Sequence, residues 1–578
     1  MSFYMVLLEK YWYFSKISTL IPASKQIRLL RYPRRLAGLI SPTPHAIKMT
    51  DQKQKRNVVS SLIFTFPDDD SSKPKVALFR RSDKVRTYPH HLAPISGNID
   101  PTDKDPLTAA WRELHEETTL TPANLTLWRI GKPFTFGDPT LNREWTVHPF
   151  AFKLKPASHG GQGEAAIRTD WEHESWEWHA PASIIDDEAF GGVPRLHETL
   201  RRVFPECEMD ERAGEALARG LKTLREDHKS GAHELTSIAL VTFRDIIAQT
   251  HEIDEKWWRT VRLAAWHLIK NGRESMGAAT LNALLSILVA LDEILDHPAP
   301  PGTEQEQKRE RILSTIDSHI ANRKANTTRL KDAFTSYIRS AFLTVAPDRD
   351  RITMLTLSAS STTRNIILDA FASLDIPTLE LRILESRPLF EGATLASSIY
   401  SRFESEFRSR PDKRLDIKIY TDAAAALAAQ DIDIVLLGAD RICSSKGVSN
   451  KTGSLPVVLS AKHVTPSAKI LVLSQLEKVV GDDGILEDKV EDNDPEEVFS
   501  VWRNEGVEGT QVLEDSSARC GADRDNSATV QVKNIYFEWV PLTLVDAFVS
   551  DEGVLDETTI KNKSQQLEKL ACKYFDDL

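Results

Sequence analysis

Arg112-Glu113-Leu114-His115-Glu116-Glu117 decides how this chain is read, because a short run of helix can carry a whole set of oxygen ligands there. Glu113, Glu116 and Glu117 stand at i, i+3 and i+4, so their carboxylates share one helix face. Leu107, Ala110, Trp111 and Leu114 fall on another face, which can pack on a sheet. Asp105 followed by Pro106 predicts the helix start, a capping carboxylate and then a proline at the first helical position. Three carboxylates this close repel one another unless a cation lies among them, and Mg2+ favours oxygen ligands plus substrate phosphates. Taken alone, the triplet equally fits a solvated acidic helix face.

Working outward, Lys75 to Arg81 reads as a strand, Leu92 to Ile95 leads into Gly97, and Leu125 to Trp128 reads as another strand. Glycine, a loop, then Arg-Glu-Leu-x-Glu-Glu-x-x-Leu resembles the Nudix box, G-x5-E-x7-R-E-U-x-E-E-x-G-U. Gly97, Arg112, Glu113, Leu114, Glu116, Glu117 and Leu120 match it by type. The chain departs from it in three places. The loop from Gly97 to Arg112 is one residue longer, Thr119 replaces the second glycine, and the loop glutamate falls on Asp103 or Lys104 depending on the end counted from. The resemblance implies an α/β/α sandwich over residues 51–205, with Glu113, Glu116 and Glu117 holding Mg2+ or Mn2+ and Arg112 orienting Glu116. The implied reaction is hydrolysis of a nucleoside diphosphate linked to another group. Arg80, Arg81, Arg86 and His90 are candidates for pyrophosphate contacts, since guanidinium forks suit phosphate oxygens. Glu172, Glu174 and Glu177, in a Trp-rich stretch, are either a further ligand or base, or surface acids around buried tryptophans.

At 578 residues the chain exceeds what one hydrophobic core usually holds. Hydrophobic residues at 41% and charged residues at 27% are ordinary for a globular protein, and no run is read as a membrane span. A net charge of -11 argues against general nucleic-acid binding. Cys207, Cys443, Cys520 and Cys572 show no paired metal spacing and no disulfide framework, which suits a reducing, cytoplasmic compartment. Residues 1–50 are basic, with Glu9 their only acid; they read as a disordered extension, an over-extended start before Met49, or a mitochondrial leader.

Residues 206–346 carry apolar residues at helical spacing throughout, with a linker at Pro298 to Gly302 and a last helix expected from Arg309 towards Ile338. From 347 to 578, short apolar runs alternate with helical stretches: Ile352 to Leu357, Leu379 to Leu384, Ile417 to Tyr420, Ile432 to Leu437 and Ile470 to Leu473. That alternation predicts a doubly wound parallel, Rossmann-like sheet whose ligand crevice lies at the carboxyl ends of the strands. The polar stretches fall there: Ser358 to Arg364, Glu385-Ser386-Arg387-Pro388 and Gly438-Ala439-Asp440-Arg441. The stretches Glu477 to Glu497 and Asp515 to Thr529 lack a period and read as mobile loops.

With Val448-Ser449-Asn450-Lys451-Thr452-Gly453 and Glu538-Trp539-Val540-Pro541, these motifs resemble the initiation factor 2B alpha/beta/delta group, which includes methylthioribose-1-phosphate isomerase. The resemblance implies a sugar-phosphate or nucleotide site using Ser358, Ser360, Ser361, Arg387, Asp440, Asn450 and Lys451, and a homo-oligomer through the sheet domain. The related isomerases use a cysteine after the first sheet strand. Ser358 stands in its place, so the expectation is binding without isomerisation. Asp440 and Arg441 simply pairing at the sheet end is the alternative. At the level of the whole chain, a metal-dependent hydrolase competes with a non-catalytic regulatory or translation-related binding protein. The two halves, divided near Pro205 to Arg212, are expected to fold independently.

Overall fold

The computed structural model describes residues 54–66, 73–227, 230–250, 252–296, 304–482, 485–486, 492–519 and 530–578. The basic extension, the Pro298 to Gly302 linker and parts of both proposed mobile loops lie outside them. From residue 54 onward the described chain forms one compact unit.

Its first layer is an eight-stranded sheet. β1 (Gln54–Thr65) and β7 (Arg143–Leu154) run parallel from Gln54 opposite Arg143 to Phe64 opposite Lys153 and form its spine. β2 (Lys75–Arg81), β3 (Leu92–Ala93) and β4 (Ile95–Asn98) extend one side, and β5 (Leu125–Ile130) and β6 (Phe134–Asp138) the other. β8 (His173–His179) lies antiparallel to β2. Helix α1 (Pro106–Thr118) packs Ala109, Ala110 and Leu114 against Val59, Ile63 and Phe152, while α2 (Leu196–Val203) packs Leu196, Leu200 and Val203 on Leu62, Phe64 and Leu78. Period-two burial along β1 sends neighbouring residues to opposite helices, so the sheet is covered on both faces.

The helical middle comprises α3 (Glu211–Glu226), α4 (Ala232–Ala248), α5 (Glu255–Lys270), α6 (Gly277–Asp296), α7 (Glu304–Lys324) and α8 (Asn326–Ile338). The single helix expected from Arg309 to Ile338 is thus two, broken at Ala325. The expectation that nothing approaches a membrane span also needs correcting. Glu274–Asp296 is long and apolar enough to cross one, an 18-residue window within it having a mean hydropathy of 1.7. Its apolarity has a closer cause: Leu281, Leu284, Leu285, Leu288 and Leu291 are buried in the largest core.

The last part is a seven-stranded sheet. β9 (Arg351–Thr356) is followed by α9 (Ser361–Ser373), β10 (Thr378–Leu384), α10 (Glu391–Glu406) and β11 (Arg414–Tyr420), then α11 (Ala425–Ala428) and β12 (Ile434–Leu437). A ribbon of β13 (Arg441–Cys443) and β14 (Gly447–Lys451) leads to α12 (Ser454–Val464) and β15 (Lys469–Leu473). After α13 (Glu496–Asn504) and α14 (Thr510–Arg519), β16 (Phe537–Val540) joins the ribbon. β17 (Ala547–Ser550) and β18 (Gly553–Leu555) close the main sheet, and α15 (Glu557–Phe575) returns to the helical core. The order β11-β10-β9-β12-β15-β17-β18 is parallel apart from β18, and its direction of growth reverses between β9 and β12. Such a reversal opens a crevice outside the strand ends. The two stretches read as mobile loops contain α14's last turns and Glu477, which pairs with Arg323 at 2.8 Å, so their described parts are structured.

The segment Pro205 to Arg212, polar enough to read as a boundary, is a junction. Arg129 of β5 makes a two-pronged ion pair with Glu206 at 2.5 and 2.7 Å, the side chains only 1% and 7% exposed. The guanidinium also lies 4.3 Å from the Trp128 ring centre. Asn271, following α5, donates to Ile130 O at 2.8 Å and accepts from Ile130 N at 2.7 Å, as a strand neighbour would. His267, wholly buried, meets Arg202 O at 3.1 Å through Nε2 and the Asn271 amide nitrogen at 2.9 Å through Nδ1. Burial holds it neutral. Removing one member of a buried ion pair strands the other charge. Arg129→Met is therefore expected to cost about 3–5 kcal/mol in urea unfolding, and Arg129→Met with Glu206→Leu distinctly less. Equal losses in the single and double variants would show that the pair does not hold the junction.

Candidate functional site

The first site forms where α1 ends. Asp105 starts the helix, accepting the Thr108 N–H at 2.7 Å with Pro106 at its first position. At the far end Thr119 adopts φ 60°, and its N–H closes on His115 O at 2.9 Å. This is where the box has its second glycine; a β-branched residue bears the left-handed conformation there at about 1–2 kcal/mol. The Thr119 hydroxyl donates to Ala166 O at 3.4 Å. Arg168 N–H donates to Thr118 O and Asp170 N–H to Glu117 O, both at 3.1 Å. A segment some fifty residues downstream is thereby laced to the last turn of α1, and it carries Asp170, Glu172 and His173 with it.

Arg112 gathers the acids on the opposite side. Its guanidinium donates to Asp103 at 2.9 and 3.2 Å, to Glu113 at 2.8 Å, to Glu116 at 3.2 Å and to Asn98 O at 3.0 Å. Asp103, one of the two loop positions that counting offered, is held below the usual carboxylate range by that bond. Gly97 lies under Glu113: a Cβ there would sit 1.9 Å from the Glu113 carboxyl carbon, so only glycine admits this approach.

The three glutamates of the box do not share one point. Glu113 lies close enough for its charge to raise the Glu117 carboxyl, whereas Glu116 is turned to Arg112 and is 57% exposed. Burial raises the Glu113 carboxyl and pushes Glu117 up to about 9, with the charges of Glu113, Glu172 and Asp170 adding and Arg81 opposing. Among the described residues no three acidic, histidine or cysteine side chains stand ready as a metal-ligand group. The donor set itself fits a divalent cation: hard carboxylate oxygens, buried and crowded by like charge, over a glycine that leaves room. Of the Trp-rich acids, Glu172 belongs to this cluster. Glu174 pairs instead with His90 at 2.9 Å, and Glu177 with Arg80 at 3.6 Å and His179 at 3.4 Å. Arg81 donates to Thr87 O at 3.0 Å, and its charge is felt at Glu117 and Glu172, while Arg86 is exposed. Sequence reasoning missed Asp170 and His173, which have neither a motif nor a period to mark them.

The second site lies where β9 and β12 diverge. Ser358 follows β9 with φ 68°, and its N–H donates to the Ser386 hydroxyl at 2.9 Å, tying the two loops together. Asp422 accepts the N–H groups of Ser386 and Arg387 at 2.9 and 2.8 Å and was also missed. Ser360 caps α9 by accepting the Thr363 N–H at 3.2 Å, with Ser361 the first residue of the helix. Gly438 follows β12, facing Asn450 Oδ1, Ser360 and Thr363, which would lie 3.5, 3.9 and 3.9 Å from a Cβ there. Asn450 is buried and donates to the Ser454 hydroxyl at 2.8 Å. The structure thus brings Ser358, Ser360 and Asn450 round one crevice. Asp440 has Lys478 Nζ 3.8 Å away, a cation the sequence did not suggest. Arg387 is half-exposed against Glu385 at 2.8 Å, and Lys451 pairs with Glu391 at 3.1 Å. Cys443 is a buried core residue.

The sequence profile described as the initiation factor 2 subunit family matches residues 230–557, and that described as the NUDIX domain matches residues 56–203. The C-terminal half is similar to methylthioribose-1-phosphate isomerase of Pseudomonas syringae pv. tomato, 25% identical over 194 residues, 32% of this chain and 44% of that protein. The same enzyme of Xylella fastidiosa is 27% identical over 174 residues, 30% of this chain and 40% of that protein. The chain thus spans less than half the length of these curated relatives. Their likeness gives no support to the expectation that the C-terminal half lacks isomerase activity. Among solved structures, the translation initiation factor eIF-2B of Pyrococcus horikoshii OT3 matches with a TM-score of 0.39 at 17% identity, over 59% of this chain and 97% of that one. The eIF2B beta of Chaetomium thermophilum matches with 0.42 at 11% identity, over 61% and 92%.

A carboxyl whose pKa is higher in the folded than in the unfolded chain binds its proton more tightly when folded. Stability tied to Glu117 is therefore full below its ordinary 4.5 and is lost as pH rises towards about 9. Thermal unfolding in chelator should show this fall, and millimolar Mg2+ or Mn2+ should flatten it. A profile indifferent to the cation would contradict the assignment of these carboxyls to a cation site.

Proposed function

The chain belongs to the initiation factor 2 subunit family and carries a NUDIX domain ahead of it, and from that premise we propose a metal-dependent hydrolase of a nucleoside diphosphate-linked substrate. The observation that carries the proposal is Glu113 seated against Gly97 and paired with Arg112 at 2.8 Å, with the buried Glu117 one turn on and Asp170 and Glu172 close enough to raise it. Glu113 and Glu117 would hold Mg2+ or Mn2+, with Glu116 joining once it leaves Arg112. A cation bound there neutralises pyrophosphate charge and lowers the pKa of a bound water. Arg112 opposes the rise that burial gives the Glu113 carboxyl and aims it. Arg81, whose charge opposes the rise at Glu117, would meet an anionic substrate. Glu172, partly buried and raised in pKa first by that burial and then by Asp170, is the candidate general base.

The C-terminal crevice is proposed to bind a phosphorylated sugar. The start of α9 offers backbone N–H groups beside Ser360, and the Thr363 hydroxyl is buried without a hydrogen-bond partner. Asn450 and Asp440 would face the sugar. Self-association through the sheet edge fits the outermost strand β11, whose Ile419 is 54% exposed, and the neighbouring Tyr400 at 57%.

A panel of nucleotide sugars, dinucleotides and coenzyme A esters with Mg2+ or Mn2+ should yield turnover that falls at least about a hundredfold in Glu117→Gln. Binding without turnover would favour the regulatory reading, and turnover unchanged in the variant would refute the site. For the crevice, calorimetry with ribose phosphates should show binding that Gly438→Val weakens about tenfold or more. Equal affinity in the variant would move the ligand elsewhere.

A further inference from the structure

His173 is the least explained polar group near the first site. Its side chain is fully buried, and neither ring nitrogen has a hydrogen-bond partner. Nδ1 lies 3.5 Å from Asp170 Oδ1, and Nε2 lies 3.6 Å from Glu117 Oε2. The ring packs edge-on against Phe79 at 5.4 Å between centres, so it cannot turn to other partners without disturbing the core. Burial disfavours the imidazolium, so the ring keeps a nitrogen lone pair. An unpartnered neutral imidazole costs free energy where it stands, and two carboxylates flank it without satisfying it.

Two ligands about 2.1 Å from one cation, subtending 90 to 110°, stand about 3.0–3.5 Å apart. The Nε2 to Glu117 separation is close to that edge and longer than a hydrogen bond. The other nitrogen faces Asp170, as in metal sites where a carboxylate accepts the ring N–H and fixes its tautomer. The backbone bond from Asp170 N–H to Glu117 O sets both residues against the helix end. We propose that His173 supplies a nitrogen ligand to the cation held by Glu113 and Glu117, with Asp170 positioning its ring. This rests on the cation site proposed above and adds a member that the helix motif does not contain. A nitrogen in an otherwise oxygen set shifts preference from Mg2+ towards Mn2+, Co2+ and Zn2+.

The test uses Mn2+ on the full chain and reads binding and spectrum, not activity. Electron spin-echo modulation of bound Mn2+ should show coupling to a directly coordinated imidazole nitrogen. That coupling should vanish in His173→Gln, with Mn2+ affinity reduced about ten- to a hundredfold, and Asp170→Asn should weaken affinity about tenfold with the coupling retained. Near-ultraviolet circular dichroism checks that the variants fold; if one does not, the wild-type spectrum still decides. Mn2+ that binds in a Glu117-dependent way but shows no nitrogen coupling overturns the role of His173 alone. Mn2+ binding that is absent, or that survives Glu117→Gln, overturns the cation site and this ligand together.

Discussion

Like charge gathered at one helix end is the constraint on which the N-terminal half depends. Glu113, Glu116 and Glu117 cannot share a face unopposed, and Asp103, Asp170 and Glu172 add to the crowding. Arg112 offsets it on one side, dividing its donors among Asp103, Glu113 and Glu116. On the other side burial raises the Glu113 and Glu117 carboxyls. The geometry around them follows from that balance. Gly97 makes room, the loop reaches back to Arg112 through Asp103, and the downstream segment is hydrogen-bonded to the end of α1.

The junction obeys a related rule in a drier setting. Arg129 and Glu206 are removed from water together, and each has another tie: Arg129 stacks on Trp128, and Glu206 sits in the turn between α2 and α3. Asn271 and His267 complete a set of directional bonds between the first sheet and the helical core. The interface is therefore specified by hydrogen-bond geometry as well as by apolar area, so a small rotation between its faces breaks several bonds at once.

What the sequence made legible was periodic or local. The carboxylates of α1, its cap, the alternating strands and the crevice at the strand ends all follow from spacing and short motifs. What it hid was brought together by the fold. Asp170 reaches Glu117 through a backbone bond that any residue but proline could make, and it carries His173 with it. Lys478 reaches Asp440 across the sheet, and Glu206 sits in a polar stretch that looks like a linker until Arg129 is placed beside it. The three-stranded ribbon of β13, β14 and β16 was missed because its last strand lies far along the chain from the other two, so no local pattern announces the pairing.

Thr119 bears on how the family pattern is scored. Glycine would take its left-handed backbone at less cost, so a comparison by motif counts threonine there as erosion. The hydroxyl, however, reaches the carbonyl of Ala166, at the head of the segment that delivers Asp170 and His173. Glycine has no such reach. The substitution exchanges conformational ease for a tether, and a lineage holding that tether can lose the glycine while its acids stay in place. A count of motif matches that scores threonine there as a loss therefore misses what its hydroxyl holds.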